Sequence, residues 1–346
     1  MIINIVRPDD WHLHLRDGEL LIDTVNASAS SFARALVMPN LLPPLIDIPS
    51  LLAYRERLLS ALLPENSFYP FMTLYLQEQT KAETFLETKK HNFILGAKLY
   101  PANATTHSSA GVQSIKALYP LLDIMQELDL VLQIHGEDTQ FDIFEREQAF
   151  IENTLTPLIK NFPKLRIVLE HISTQAAVDF VFQAPEHVGA TITPQHLLYD
   201  RNDLLSNGIK PHLYCLPILK KQEDKKALLR AALSGNPKFF AGTDSAPHAI
   251  HHKEAACGCA GTFSAPYAAI LYTEIFESHG MLDKLEAFVS KYGALFYRQP
   301  LNSERLILKR QPQTVPTMLP LGKHHIVPLK AGEQLSWRII HDDHSL

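Results

Sequence analysis

The sequence lacks the features of an exported or membrane-embedded protein. It has only three cysteines, Cys215, Cys257 and Cys259, in 346 residues, too few for the disulfide framework of a small secreted domain. No run approaches the roughly 18 consecutive apolar residues of a membrane-spanning helix, and the N-terminus lacks the charged-then-apolar order of a signal peptide. These absences predict a cytoplasmic protein that does not act at a membrane.

A strong charge of one sign is also missing. The formal net charge is −5, and the 32 lysines and arginines form no basic run, so nucleic acid is not expected as the main partner. No Gly-x-Gly-x-x-Gly motif follows the first apolar run, which argues against the structural alternative, a doubly wound open sheet. By contrast, 46% of the residues are apolar, enough for a large core, and histidine is abundant at 17 residues.

Short apolar runs alternate with longer segments of helical spacing along most of the chain. Strands that are apolar throughout and alternate with helices are typical of a parallel sheet covered by helices, and eight such units predict a closed (β/α)8 (TIM) barrel. The predicted strands are residues 2–6, 35–38, 68–76, 93–100, 131–135, 166–171, 188–192 and 239–244, with a break or bulge at Pro8-Asp9-Asp10. The predicted helices are residues 20–32, 50–63, 78–91, 111–128, 141–161, 176–182, 223–234, 265–278 and 282–295.

A single domain is predicted over residues 1–346. The barrel covers roughly residues 1–260, and the terminal helices and a tail cover roughly residues 261–346. Within this tail, residues 326–329 and 335–340 are apolar enough to form short strands outside the barrel.

The C-terminal ends of the strands of such a barrel converge on one face, where its reactive side chains lie. Residues two apart share a strand face, so His12 and His14 should lie side by side, with Leu13 and Leu15 on the other face. The other polar residues at the predicted strand ends are Asn40, Lys98, His135, His171 and Asp244. Each has an ordinary explanation, such as a core histidine or a helix cap. Their joint position predicts a metal site instead, because imidazole is a common metal ligand.

Lys98 is the most unusual member of this set. An ammonium within an apolar strand must be paired or neutralised, and a neutral amine can add carbon dioxide to form a carbamate with two metal-binding oxygens. Four histidines, an aspartate and a lysine exceed the needs of one tetrahedral zinc. Two metals could share a water molecule and ionise it for hydrolysis. A Schiff-base lysine and a catalytically inactive barrel that serves as an assembly partner remain alternatives.

Several segments resemble the amidohydrolase superfamily and, within it, the short, single-function bacterial dihydroorotase family. The segments that carry this resemblance are residues 12–16, 37–40, 96–101, 134–137, 170–171, 193–196, 242–248 and 253–261. The match extends from residue 1 to about residue 295. It implies reversible cyclisation of N-carbamoyl-L-aspartate to L-dihydroorotate and water in de novo pyrimidine (UMP) biosynthesis, by a homodimer. Hydantoinases and allantoinases share the metal set and are the nearest alternative.

The resemblance also implies residue roles. Two Zn²⁺ ions per subunit would be bridged by N6-carboxylated Lys98 and a hydroxide. One zinc would be held by His12, His14, Asp244 and Lys98, and the other by Lys98, His135 and His171. Asp244 would act as general base and acid.

The small-molecule substrate would bind through its α-carboxylate. The implied contacts are Arg16, Asn40, His248 and backbone groups at Leu216 and Ala260. Residues 101–111 would form a flexible loop whose Thr105 and Thr106 reach the substrate. From the residues alone, Arg16 could instead pair with Asp17 or Glu19, and the loop could be an ordinary surface connection.

Overall fold

The computed structural model describes residues 1–340, so the end of the predicted tail, residues 341–346, lies outside the described residues. Eight parallel strands form one sheet in chain order, from β2 to β9, which confirms the predicted barrel. The strands are β1 (Ile2–Val6), β2 (Asp9–Leu13), β3 (Arg34–Val37), β4 (Tyr69–Tyr75), β5 (Ile94–Leu99), β6 (Val131–Ile134), β7 (Ile167–Leu169), β8 (Val188–Ile192), β9 (Phe239–Ala241), β10 (Arg305–Thr314), β11 (Leu319–Leu321), β12 (His324–Ile326) and β13 (Gln334–Ile340).

Helices connect the strands and cover the outside of the barrel. The α-helices, α1 to α14, are Leu21–Ala29, Ile48–Ser60, Ala82–Thr88, Tyr119–Glu127, Arg146–Phe150, Thr156–Asn161, Gln175–Gln183, Pro194–Leu198, Arg201–Leu205, Gln222–Leu233, Ile250–Lys253, Ala268–Ser278, Leu282–Glu286 and Tyr292–Phe296. Wider π-type turns at Ile151–Leu155 and Ala287–Lys291 continue two of them, so the predicted helices at 141–161 and 282–295 are each composite. No helix within residues 1–340 is long and apolar enough to cross a membrane.

The barrel begins at β2, and the prediction that residues 2–6 open it was wrong. β1 pairs antiparallel with β10, which also pairs with β13 in a three-stranded sheet outside the barrel. The predicted break at residues 8–10 is confirmed at Pro8, which lies between β1 and β2, and was wrong at Asp9 and Asp10, which are buried within β2. The bulge comes later in β2. Asp10 pairs with Ala35 and Leu13 with Val37, so β2 has one more residue than β3 between these two pairs.

Buried partners explain why two aspartates can lie inside a strand. Arg34 donates hydrogen bonds to both carboxylate oxygens of Asp9, at 2.8 and 2.5 Å. Asp10 accepts hydrogen bonds from the backbone N–H and the hydroxyl of Thr243, at 2.8 and 2.5 Å. Buried polar groups are tolerated when they are paired in this way. These partners are distant in sequence, so local pattern alone makes the two aspartates resemble turn residues.

The barrel interior at the N-terminal end of the strands is filled by aromatic side chains. The Trp11 indole stacks on Tyr297, with ring centroids 4.5 Å apart and planes 5° from parallel, and on Phe71 at 5.9 Å. Leu13 and Leu15, beyond the bulge, instead pack in the larger apolar cluster that includes the helices. The predicted placement of these two leucines away from the histidines is therefore confirmed.

The tail was only partly predicted. The strand expected at residues 335–340 is β13, whereas the strand expected at 326–329 reaches only Ile326, in β12. Strands β10 and β11 were missed. β10 is polar along much of its length and pairs with β1 across about 300 residues of sequence, a contact that local patterns do not reveal.

Substitution of Gly293 by alanine should destabilise the protein. A Cβ atom at this position in α14 would lie 2.1 Å from Nε1 of Trp11, and the stacked indole has no room to move. Glycine to alanine within a helix ordinarily stabilises by about 0.5–1 kcal/mol. Here we expect a loss of about 1–3 kcal/mol from overpacking, measured as a lower denaturant midpoint.

Gly280→Ala is the control for this prediction. Gly280 has φ +69°, and a Cβ atom added there would meet no other atom within 4 Å. Alanine at this position would meet no clash, so only its left-handed backbone should lower the free energy of unfolding, by about 1 kcal/mol. An unchanged or higher midpoint for Gly293→Ala would contradict the proposed packing.

Candidate metal centre

The side chains predicted to bind metal lie together at the C-terminal end of the barrel. They follow or end five different strands and are all at least nine-tenths buried. The residues are His12 in β2, His14 just after it, Lys98 in β5, His135 after β6, His171 after β7 and Asp244 after β9. Parallel strands of a closed barrel bring such positions to one face.

His12, His14 and Asp244 form the tightest group. One carboxylate oxygen of Asp244 lies 3.1 Å from Nε2 of His14 and 3.5 Å from Nε2 of His12. The two ring nitrogens are 3.3 Å apart, and one donor atom from each of the three residues lies within 4.8 Å of the others. Three converging donors of this type suit a divalent cation. Asp244 was also a candidate helix cap, but its carboxylate lies against the rings of His12 and His14 instead.

His135 and His171 form a second convergence beside the first. Nδ1 of His135 lies 3.1 Å from Nε2 of His171. The ring of His171 also lies against the ring of His12, with centroids 4.9 Å apart. The four histidines are therefore contiguous.

Two buried glutamates orient these rings. Oε2 of Glu170 lies 2.8 Å from Nδ1 of His12, and Oε2 of Glu137 lies 2.8 Å from Nε2 of His135. A carboxylate that accepts the proton of one ring nitrogen leaves the lone pair of the other nitrogen facing the cluster, the usual arrangement for metal-binding histidines. Sequence reasoning gave neither glutamate a role. The available signal was an acidic residue at the end of an apolar strand.

Lys98 is fully buried, and its Nζ has no hydrogen-bond partner among residues 1–340. Burial lowers the pKa of Lys98 to about 8, although the nearby carboxylates of Glu170 and Asp244 oppose this shift. A buried ammonium without an acceptor is unfavourable. Burial also lowers the pKa of His12 and His171 well below its usual value, so the rings are neutral, as metal ligands must be. An orphaned amine and neutral imidazoles fit a divalent-cation centre.

Three residues of the site have a left-handed backbone. The φ angles are 61° at Arg16, 42° at His171 and 46° at Asp244, a region that residues other than glycine rarely occupy. Long-range hydrogen bonds hold two of them, because the N–H of Asp244 donates to His12 O at 2.9 Å and that of His171 to Thr191 Oγ1 at 2.6 Å. Such strain concentrates at functional sites.

A cationic pocket adjoins the histidine cluster. The Arg16 guanidinium donates to Pro247 O and to Nε2 of His248, both at 2.9 Å. Burial and the charge of Arg16 lower the pKa of His248 to about 2, so its ring is neutral and accepts this bond. The alternative pairing of Arg16 with Asp17 or Glu19 was wrong, because their carboxylates bind other cations, Arg57 and Lys323 respectively.

The predicted loop lies against this pocket. Asn40 Nδ2 donates to Thr106 O at 3.1 Å, and Thr106 Oγ1 donates to Ala260 O at 3.4 Å. Together with Thr105 and Leu216, these residues line a tight cleft above the cluster, with a cavity volume of only about 20 Å³. The cleft thus joins every residue predicted for substrate binding, with His248 reached through Arg16.

Comparison with known proteins adds a family and relatives. Residues 5–301 match the amidohydrolase family. A dihydroorotase of Coxiella burnetii is 54% identical over 344 residues, 99% of each chain. The crystal structure of dihydroorotase from Saccharomyces cerevisiae in complex with 5-fluoroorotic acid superposes with a TM-score of 0.88 at 34% identity over 98% of each chain. An L-hydantoinase from Arthrobacter aurescens has a TM-score of 0.81 at 16% identity, over 97% of this chain and 83% of that one, a likeness of fold alone.

Glu137→Gln should weaken metal binding by about tenfold, the lower end of the range for partners of metal-binding histidines. The neutral amide would still accept the His135 proton but would no longer raise the basicity of the ring. The measurement is the metal retained after equilibration with graded concentrations of a chelator.

Glu147→Gln is the matched control, because Glu147 is equally buried and accepts hydrogen bonds from Ser173 and Thr174 rather than from the cluster. Equal retention of metal by the two variants would refute an orienting role for Glu137.

Proposed function

This chain belongs to the amidohydrolase family, and we propose that it is a dihydroorotase that interconverts N-carbamoyl-L-aspartate and L-dihydroorotate in pyrimidine biosynthesis. The single observation that carries this proposal is the juxtaposition of a buried histidine–aspartate cluster with the Arg16 pocket. The cluster suits hydrolysis of an amide, and the pocket suits a carboxylate on the same small molecule.

We propose two divalent cations, zinc in the first instance, bound at this cluster. His12, His14 and Asp244 would hold one, His135 and His171 the other, and a carbamate on Lys98 would bind both. When bound, the cations supply a hydroxide nucleophile at neutral pH and polarise the scissile carbonyl. Nζ of Lys98 has no hydrogen-bond partner within residues 1–340, and burial lowers its pKa to about 8. Both features favour the neutral amine, and because only a neutral amine adds carbon dioxide, they support the carbamate.

Asp244 is the proposed proton carrier. Its side chain lies against His12 and His14 and borders the cleft, so it can accept a proton from the attacking water. It can then deliver that proton to the ring nitrogen as the carbon–nitrogen bond breaks, which yields a ureido group and a carboxylic acid. The new acid releases its proton to solvent and becomes a carboxylate. The hydrogen bond from the N–H of Asp244 to His12 O, at 2.9 Å, holds the backbone of this residue beside the histidines.

Arg16, Asn40 and His248 are the proposed contacts of the substrate's α-carboxylate, assisted by the backbone at Leu216 and Ala260. Arg16 forms no ion pair among residues 1–340, so its guanidinium is available to a ligand. Bidentate binding by arginine fixes orientation as well as charge. Thr105 and Thr106 would close over the bound ring. These contacts distinguish the proposed substrate from hydantoins, which lack this carboxylate.

Three further expectations carry over from the sequence, the first of them from the family resemblance. We propose that the chain works as a homodimer, that it acts in the cytoplasm, and that residues 1–346 form one catalytic unit.

The proposed function is tested by hydrolysis of L-dihydroorotate, with hydantoin as the competing substrate. We expect turnover of dihydroorotate only, with about two metals bound per chain. Lys98→Ala should lose metal and reduce turnover by roughly 100-fold or more, and a short carboxylic acid should restore part of it by filling the vacated position.

Lys238→Ala is the control, because Lys238 lies just before β9, at the opposite end of the barrel. The added carboxylic acid should not change the turnover of this variant. Preferential turnover of hydantoin would favour the alternative enzyme class. Borohydride trapping of a carbonyl substrate on metal-free protein would indicate Schiff-base chemistry instead.

The equilibrium between the two substrates should depend on pH. Ring closure converts a dianion to a monoanion and water, so it consumes one proton. Low pH therefore favours closure and high pH favours hydrolysis, with the equilibrium ratio changing about tenfold per pH unit. Chromatographic analysis of mixtures equilibrated between pH 6 and 9 measures the ratio, and a constant ratio would refute the assigned reaction.

A further inference from the structure

Lys253, which the proposed function leaves without a role, is a buried lysine beside the carboxylate pocket. It ends helix α11 and is only 4% exposed. Its Nζ donates to the carbonyl oxygens of Tyr214 at 2.8 Å, Cys259 at 2.8 Å and Gly261 at 2.7 Å. An ammonium has three N–H groups, so every one of them is bonded to backbone.

These carbonyls belong to the two segments that line the cleft with Leu216 and with Ala260 and Gly261. Tyr214 precedes Leu216 by two residues, and Cys259 and Gly261 flank Ala260. The N–H of Gly261 also donates to Tyr214 O at 2.9 Å. Nζ of Lys253 thus bonds to both the Leu216 segment and the Ala260 segment and links them to α11, which a second bond, from Cys259 N–H to His252 O at 2.9 Å, also joins to the Ala260 segment.

The Ala260 segment needs such a restraint. Gly261 has φ +144°, and a Cβ atom there would lie 2.6 Å from Ala246 O. Residues other than glycine rarely adopt this φ angle, and the close approach leaves no space for a side chain. The local sequence therefore does little to favour one backbone direction in this segment. Long-range hydrogen bonds must therefore fix the direction of the backbone groups at Ala260.

The charge of Lys253 also reaches the pocket. No carboxylate within residues 1–340 forms an ion pair with it, and its Nζ lies 5.7 Å from the centroid of the Tyr214 ring. After burial and Arg16, Lys253 is the next cause that lowers the pKa of His248. A positive potential that disfavours a second positive charge on His248 favours an anionic ligand beside it.

We infer that Lys253 is a positioning residue for the carboxylate of the substrate: it holds the backbone of the Leu216 and Ala260 segments in their binding orientation and adds positive potential without touching the ligand. This inference rests on the proposed dihydroorotase activity. It concerns binding of the carboxylate end of the substrate rather than the chemical step.

The chain provides a matched control for a purely structural lysine. Nζ of Lys238 likewise donates to three backbone carbonyls, those of Val181, Phe182 and Ala184. It lies at the N-terminal end of β9, away from the cleft. Lys253 and Lys238 therefore make the same kind of contact. They differ because Lys253 bonds to backbone segments beside the cleft, whereas Lys238 bonds to backbone at the opposite end of the barrel.

The test compares Lys253→Met with Lys238→Met in steady-state hydrolysis of L-dihydroorotate by the metal-loaded enzyme. We expect Lys253→Met to raise KM by about tenfold or more and to change kcat by less than about threefold, the pattern of lost uniform binding. Bound metal should be unchanged. Lys238→Met should lower thermal stability and leave KM at the wild-type value.

Two further variants separate charge from folding. Lys253→Arg keeps the positive charge, so its KM should lie between the value of Lys253→Met and that of the wild type. If Lys253→Met does not fold, Lys253→Gln, which keeps amide donors without the charge, should still raise KM.

An unchanged KM in Lys253→Met or Lys253→Gln, with an active wild type, would overturn the positioning role. An equal rise in KM for Lys238→Met would overturn it too, because the effect would then follow from general loss of stability. Failure of the wild type to hydrolyse dihydroorotate would refute the proposed function, and the wild-type assay detects this separately.

Discussion

Closure of the barrel between β2 and β9 is the contact on which the site depends. The carboxylate of Asp10 accepts hydrogen bonds from Thr243 on one side of this junction and from the N–H of His12, at 3.1 Å, on the other. The N–H of His14 donates to Ser245 O at 3.1 Å across the same junction. His12, His14 and Asp244 therefore reach each other only when the first and last barrel strands meet. Closing the sheet and assembling the tightest group of metal-type side chains are one structural event.

The barrel interior at and beside this junction holds ionisable side chains that are buried from water, among them Asp10, Glu170 and Lys98. Burial raises the pKa of Asp10 and of Glu170 to about 7, and it lowers that of Lys98. Isolated buried charges are costly, whereas charges paired with partners or cations are tolerated. Glu137 and Glu170 each lie at hydrogen-bond distance from a histidine of the cluster. Their negative charge would stabilise a cation bound there.

The sequence predicted the features that depend on local pattern and missed those that depend on distant partners. Apolar strands alternating with helices predicted the barrel, and polar residues at strand ends predicted where His135, His171 and Asp244 would gather. Asp9 has the local pattern of a break because Arg34, which neutralises it in the core, is 25 residues away. Strand β10 was missed because its partner, β1, lies at the other end of the chain. The left-handed backbone at His171 has no sequence signal at all.

Residue type alone also does not separate structural from functional lysines. Lys238 and Lys253 are each held by three carbonyl oxygens, and only their positions in the barrel distinguish them. The barrel and its metal-type ligands suit hydrolysis of many cyclic amides, so the choice of substrate must come from the loops at the C-terminal face. In those loops the proposed site would recognise a carboxylate through backbone groups and one arginine, Arg16. Backbone groups recognise a ligand only if their direction is fixed, so a residue in the proposed role of Lys253 would influence specificity through the backbone that it holds.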